Sequence, residues 1–203
     1  MVLEYSFHVY NKMAQDGASM ALDKLLRANF REKWKKKGAG TRLEDLPPVV
    51  VCIGSDLAIG DSLGPIVGSM LKYKTQGTAS FLYGTLASPI TAKEIKYMRG
   101  FLQATHPDRQ IIAVDAAVGE KGDVGLMKLS DTPLCPGAGA NKRLGELGDL
   151  SVMGIVAEKS LANYGLFNTT RLNLVYSMAE ILSDALASIL WERAEKSDAK
   201  ISG

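Results

Sequence analysis

Histidine and cysteine are scarce in this 203-residue chain, with two of each. Cys52 and Cys135 are too few for a disulfide framework, and no charged-then-apolar leader opens the chain, so the expectation is a reduced, cytoplasmic protein. His8 lies near the amino terminus and His106 at the far end of a predicted helix beside Pro107, and both read as surface histidines. Neither stands where a Ser-His-Asp or Cys-His site would need it, and no thiol or imidazole cluster invites a transition metal. No metal and no cofactor are expected. Cys52 reads as a small buried hydrophobe, and Cys135, without a partner histidine, as a poor nucleophile. An excess of one charge is also missing: 24 basic against 22 acidic residues leave a formal net charge of +2. Nothing global therefore argues for nucleic acid or a membrane as partner. The local basic run "REKWKKK", Arg31 to Lys37, reads as the solvated end of a helix, with a docking patch as the alternative. No apolar run free of charge approaches bilayer length, because the long C-terminal pattern carries charges at regular intervals.

What is present is a chain of 46% hydrophobic residues, enough for one core and one domain over 1–203. From Ser19 to Lys37, Met20, Leu22, Leu25, Leu26, Phe30 and Trp34 recur at helical spacing, which predicts a helical extension over about 1–46. Pro47 and Pro48 then punctuate, and "VVVCIG" follows as a buried, β-branched strand. Leu63, Ile66, Val67, Met70 and Leu71 form the next helical stripe. The alternation continues with "ASFLYGTL" as a strand, "SPITAKEIKYMRGFLQAT" as a helix starting near Ser88 or Thr91, and "RQIIAVDAAVG" as a strand. "GDVGLMKLS" and "LGDLSVMGIVAEK" are further strands, and a long amphipathic helix runs from Thr170 to Glu195 with Asn168 or Thr169 as N-cap and Leu172 to Leu190 on its stripe. The final polar residues are expected to fray. Strands alternating with helices imply right-handed crossovers and a three-layer α/β fold, a mostly parallel twisted sheet sandwiched by helices.

In such a sheet the ligand crevice lies at the carboxyl ends of the strands, where the winding reverses. Two strands end in acid there: "VVVCIGSDLAIGD" leads to Asp61 and "IIAVD" to Asp115. Each acid alone also reads blandly, Asp61 as a helix N-cap and Asp115 as an anchor for loop amides. Gly54, Gly60 and Gly64 do not form a dinucleotide fingerprint, and no P-loop lysine follows. "PGAGANKR", Pro136 to Arg143, could hold an anion or carbonyl, or be an exposed turn. Gly84 and Thr85 could line the crevice or cap a helix.

Taken together, "GSDLAIGDSLGP", "IIAVDAAVG" and "PGAGANKRLGELGDLSVMGI" resemble the corresponding segments of the spore germination protease, and "YGTLASPITAKEI" with "NTTRLNLVYSMAEIL" resemble the smaller YyaC group of sporulation proteins. The resemblance runs from about Pro47 to Leu190. It implies the fold of the hydrogenase maturation proteases and an aspartate-dependent endopeptidase of the cytoplasm, forespore or spore core, acting on small spore proteins or another sporulation-specific protein. A non-catalytic relative that binds a peptide or partner is the alternative, and a metal-linked maturation endopeptidase a weaker one. Asp61 and Asp115 match the two essential acids. Ser55, Asp56, Gly84, Thr85, Pro136, Gly137, Gly139, Asn141 and Lys142 form the expected substrate-binding set. The pattern departs from the family at Ser55, where asparagine is usual, and at Thr91, where a histidine is associated with the smaller group. The partner implied is a protein or peptide substrate, with homo-oligomerisation left open.

Overall fold

The computed structural model describes residues 2–34, 41–136, 145–159 and 170–201. Its frame is a six-stranded sheet of β1 (Glu4–His8), β2 (Val49–Cys52), β3 (Leu82–Tyr83), β4 (Ile111–Gly119), β5 (Leu126–Ser130) and β6 (Leu150–Glu158). The spatial order is β1-β5-β6-β4-β2-β3. β3, β2, β4 and β6 pair in parallel, while β5 runs antiparallel to both β6 and β1. Among the described residues four α-helices cover it: α1 (Ala14–Asn29), α2 (Leu63–Lys74), α3 (Ile95–Thr105) and α4 (Leu172–Ile201).

The central strands are apolar on both faces because both faces are covered. Val50, Cys52, Ile112 and Val114 point into one core with α1, α2 and α4, whereas Val49, Val51, Ile53 and Ala113 point into another with α3. Three layers follow directly from this alternation. After β2 the chain crosses to the edge strand β3 and then returns to the other side of β2 as β4. The winding therefore reverses between β2 and β4.

Several sequence expectations change here. The N-terminal 46 residues are not wholly helical: Glu4–His8 alternates polar and apolar residues and adds an edge strand to β5. The next helix starts at Ala14 rather than Ser19 and passes at Phe30 into a wider π turn. α3 starts at Ile95, later than Ser88 or Thr91, because Thr91 and Glu94 form a turn in which the Glu94 carboxylate accepts from the Thr91 amide and hydroxyl, at 2.9 and 2.5 Å. His106 is not a surface histidine; it is buried, and its Nε2 lies 2.7 Å from the Tyr83 hydroxyl. The helix continues to Ile201 where fraying was expected, and the N-cap candidates Asn168 and Thr169 lie outside the described residues, as do Lys35 to Lys37 of the basic run.

By length and composition Leu172–Ala199 is long and apolar enough to cross a bilayer, against the expectation drawn from its regular charges. In this fold its stripe is spent on packing: Val175, Met178, Ala179, Leu182, Leu186 and Leu190 are all buried, although Leu172 at the start is exposed. The charged positions are used too. Lys74 pairs with Asp184 at 2.5 Å and donates to Ser183 at 2.9 Å, joining α2 to α4. Arg193, buried in α4, donates to the Glu44 carbonyl and lies 3.4 Å from Asp23 of α1. Replacing Leu182, which has no exposed surface, by Ala is expected to cost about 2–5 kcal/mol in denaturant unfolding. Unchanged stability would show that this face of α4 is not core.

Candidate functional site

The β2 exit is the structural centre of the site. The Ile53 amide donates to the Val114 carbonyl at 2.7 Å, so the residue before Gly54 lies beside the residue before Asp115. The Gly54 amide donates to Ile90 on the other side at 2.9 Å. Gly54 itself has φ +139, and a Cβ there would stand 2.1 Å from the Asp61 carbonyl oxygen, so a side chain is excluded on both grounds. The chain then loops outward, closes with the Ser55 amide donating to the Asp61 carbonyl at 2.9 Å, and enters α2. This hairpin-like closure returns Asp61 to the strand exit it left six residues earlier.

Asp115 lies on β4 beside Met153 of β6, on the α3 face of the sheet, and in mid-strand rather than at the strand end expected, because the ladder with β6 continues to Gly119. It is 9% exposed, and its Oδ1 accepts from the Ala116 amide at 2.8 Å. Burial, with the Asp61 charge second, pushes its carboxyl up to about 8, against a modest opposing pull from that amide. Burial likewise pushes Asp61 up to about 6, with the Ser55 amide pulling the other way. The two acids are thus electrostatically coupled at the point where the sheet's winding reverses. An acid held at 6 beside one held at 8 leaves one proton on the pair near neutrality.

The other expected site residues divide. Ser55 shapes the loop, its Oγ accepting from the Leu57 amide at 3.2 Å, and Asp56 is exposed on the same loop. Gly84 is a packing position rather than a lining one: it is buried, and a Cβ on it would lie 1.8 Å from the Cys52 carbonyl oxygen. Thr85 forms a tight bridge with Ser88, and the two exchange amide hydrogen bonds at 3.1 Å. Pro136 is buried at the start of the glycine-rich loop, and Gly137, Gly139, Asn141 and Lys142 lie outside the described residues.

Apolar side chains on the surrounding loops escaped sequence reading. Leu57 is 91% exposed, and Ile59 and Leu86 are also exposed, all on loops at the carboxyl end of the sheet. Their signal was present as leucine and isoleucine in segments that had to be loops. A cavity of about 410 Å³ lies instead at the amino end of β4 and β6, lined by Arg99, His106, Arg109 and Asp149 among others, and shares no residue with the acid pair. That cavity also holds titratable groups, but His106 is bonded to Tyr83 and Asp149 accepts from the Ile111 amide at 2.9 Å, whereas the two acids are raised towards neutrality at the reversal of the winding, so the crevice remains the candidate site. Among the described residues, no three His, Cys, Asp or Glu side chains cluster to hold a metal ion.

A model of the family described as "Protein of unknown function (DUF1256)" matches residues 18–185. The chain belongs to this family. It is also 44% identical over 149 residues to the "Uncharacterized protein YyaC" of Bacillus subtilis (strain 168), a match covering 73% of this chain and 71% of that protein. The family match takes in both acids of this DUF1256 chain and most of its frame, but leaves out β1.

Both acids carry folded-state values above the ordinary aspartate value of about 4, so the folded protein holds protons that the unfolded chain releases. Stability must then fall as pH rises from about 4, through about 6 for Asp61, and the loss is complete only above about 8 for Asp115. Asp115→Asn removes the larger part of this cost. It is expected to be more stable than the parent protein at pH 9, with the gap closing towards pH 4, in urea titrations across that range. Parallel stability curves at all pH values would place Asp115 in a solvated environment.

Proposed function

We propose that this DUF1256 protein is an aspartate-dependent hydrolase that cleaves a peptide bond in a protein substrate, with small spore proteins as the first candidates. The observation that carries this reading is the coupled acid pair, raised to about 6 and about 8, at the reversal point of a parallel sheet. Near neutral pH Asp61 is largely ionised and Asp115 protonated. Asp61 accepts a proton from water as the water oxygen bonds to the substrate carbonyl carbon. Asp115 donates its proton to the carbonyl oxygen; on collapse of the tetrahedral adduct the C–N bond breaks, the proton held by Asp61 passes to the leaving nitrogen, and an adduct hydroxyl returns a proton to Asp115. Water supplies both the hydroxyl of the new acid and the proton of the new amine. The exposed Leu57, Ile59 and Leu86 give an extended peptide apolar contacts around the pair. The resemblance of the Gly54–Pro65 and Ile111–Gly119 stretches to the germination protease supports the same assignment of roles.

A non-catalytic peptide-binding role is the second reading, favoured by the depth of Asp115 at 9% exposure. A metal-linked endopeptidase requires donors beyond the two carboxylates; stoichiometric nickel or zinc surviving dialysis, and lost in Asp61→Asn, is the result that would revive it.

Incubation of the purified chain with small spore proteins, followed by intact-mass analysis, separates these readings. Peptidase action predicts new termini, a bell-shaped rate profile with limbs near 6 and 8, and a loss of about 100-fold or more in folded Asp61→Asn and Asp115→Asn variants. Binding without new termini assigns the crevice to peptide capture. Cleavage that persists at full rate in both variants removes the acids from the chemistry.

A further inference from the structure

We infer that β1 is a dimerisation strand, pairing antiparallel with β1 of a second copy of this chain about a two-fold axis through Ser6. Among the described residues β1 is the last strand of the sheet, and one of its edges has no neighbouring strand. Which main-chain groups face that edge follows from the β5 register. The Asp131 amide donates to the Leu3 carbonyl at 3.1 Å, and the Val9 amide to the Gly125 carbonyl at 2.9 Å. Odd-numbered residues of β1 therefore bond β5, and Glu4, Ser6 and His8 turn their amides and carbonyls outward, by the alternation of antiparallel ladders.

The segment "EYSFH" is complementary to its own reverse. A two-fold axis through Ser6 sets Ser6 against Ser6, Glu4 against His8, and Tyr5 against Phe7 of the second copy. The outward-facing residues are the ones that such an axis brings into hydrogen-bonded pairs. The two Ser6 residues exchange amide and carbonyl bonds, and each His8 amide reaches the Glu4 carbonyl of the other copy. Each Glu4 amide reaches the His8 carbonyl, which already accepts from the Asn11 amide at 2.8 Å and keeps a second lone pair.

Side chains agree with the same register. Tyr5 and Phe7 are partly buried against the core on the α1 face, so the axis places aromatic rings opposite one another across the new ladder. Glu4 and His8 lie on the other face, where a carboxylate meets an imidazole rather than a like charge. Beyond the strand ends, Val2 is 61% exposed and Tyr10 75%, and the same axis brings Val2 of one copy towards Tyr10 of the other. An isologous contact of this kind closes on itself as a dimer and joins the two sheets into one of twelve strands. A second copy is the occupant because the complementarity is of the strand with itself.

Sedimentation velocity of the full chain across a wide concentration range tests this. The expected species at submillimolar concentration is a dimer. Ser6→Pro deletes an amide that faces the open edge and not β5, and Ser6→Lys places like charges across the axis. Both variants are expected to sediment as monomers while keeping the parent's circular dichroism. Amide exchange gives a second readout that does not depend on a variant folding: Glu4, Ser6 and His8 gain protection as concentration rises, whereas Tyr5 and Phe7 are protected throughout. A parent protein that stays monomeric overturns the inference. So does a dimer in which the amides of Glu4, Ser6 and His8 exchange freely.

Discussion

Backbone meets backbone, with no side chain between, where α2 crosses the carboxyl ends of β2 and β3. A Cβ on Gly64 would lie 2.0 Å from the Ile53 carbonyl oxygen, and one on Gly68 would lie 1.9 Å from that of Gly84. These contacts are possible only because the helix presents hydrogen where other residues carry carbon. They draw the start of α2 onto the strand exit, and with it Asp61. A helix standing off by the width of one methyl group would carry Asp61 away from β4 and relieve the charge coupling that adds to burial in keeping Asp115 protonated.

The site accepts a cost in stability for this arrangement. Two carboxyls pushed to about 6 and about 8 mean that their charged forms are poorly solvated in the folded state. A structural N-cap needs no such penalty, and Asp61 serves as none: Ser62 precedes α2, and its hydroxyl bonds back to the Ile59 carbonyl at 2.7 Å. The bland reading of Asp61 as a cap is thereby excluded. Asp115 does bond a neighbouring amide, as a loop anchor would, but a single amide does not offset its burial. The remaining frame absorbs the cost through two apolar cores and the α4 stripe.

Most of the frame was legible because β2, β4 and β6 are apolar runs bounded by turns, and α2 and α4 carry helical stripes. β1 was not, since five residues of period-two alternation are overshadowed by the longer helical pattern that follows. The α3 start was misplaced because Thr91 and Glu94 satisfy one another in a turn before the helix begins. His106 looked exposed beside Pro107, and only the fold brings Phe81, Tyr83 and Phe101 around it. The acids themselves were visible, Asp61 in the loop after a strand and Asp115 after an apolar run, although β4 does not end at Asp115 but runs on to Gly119 beside β6. Their proximity was not, because it depends on strand order, and that order is set by packing across the sheet. Gly84 was visible as a glycine after a strand, but its contact with Cys52 follows from β3 lying beside β2 in the sheet and not from local pattern.

The central claim is that Asp61 and Asp115 share one proton near neutrality. Carboxyl ¹³C chemical shifts, followed by NMR in protein labelled at aspartate and assigned with Asp61→Asn and Asp115→Asn, measure this directly. The account predicts two steps for the pair, near 6 and near 8, and a lower Asp115 transition in Asp61→Asn because one of its two causes, the neighbouring charge, is gone. Two independent titrations near 4, indifferent to the loss of the other acid, would contradict it.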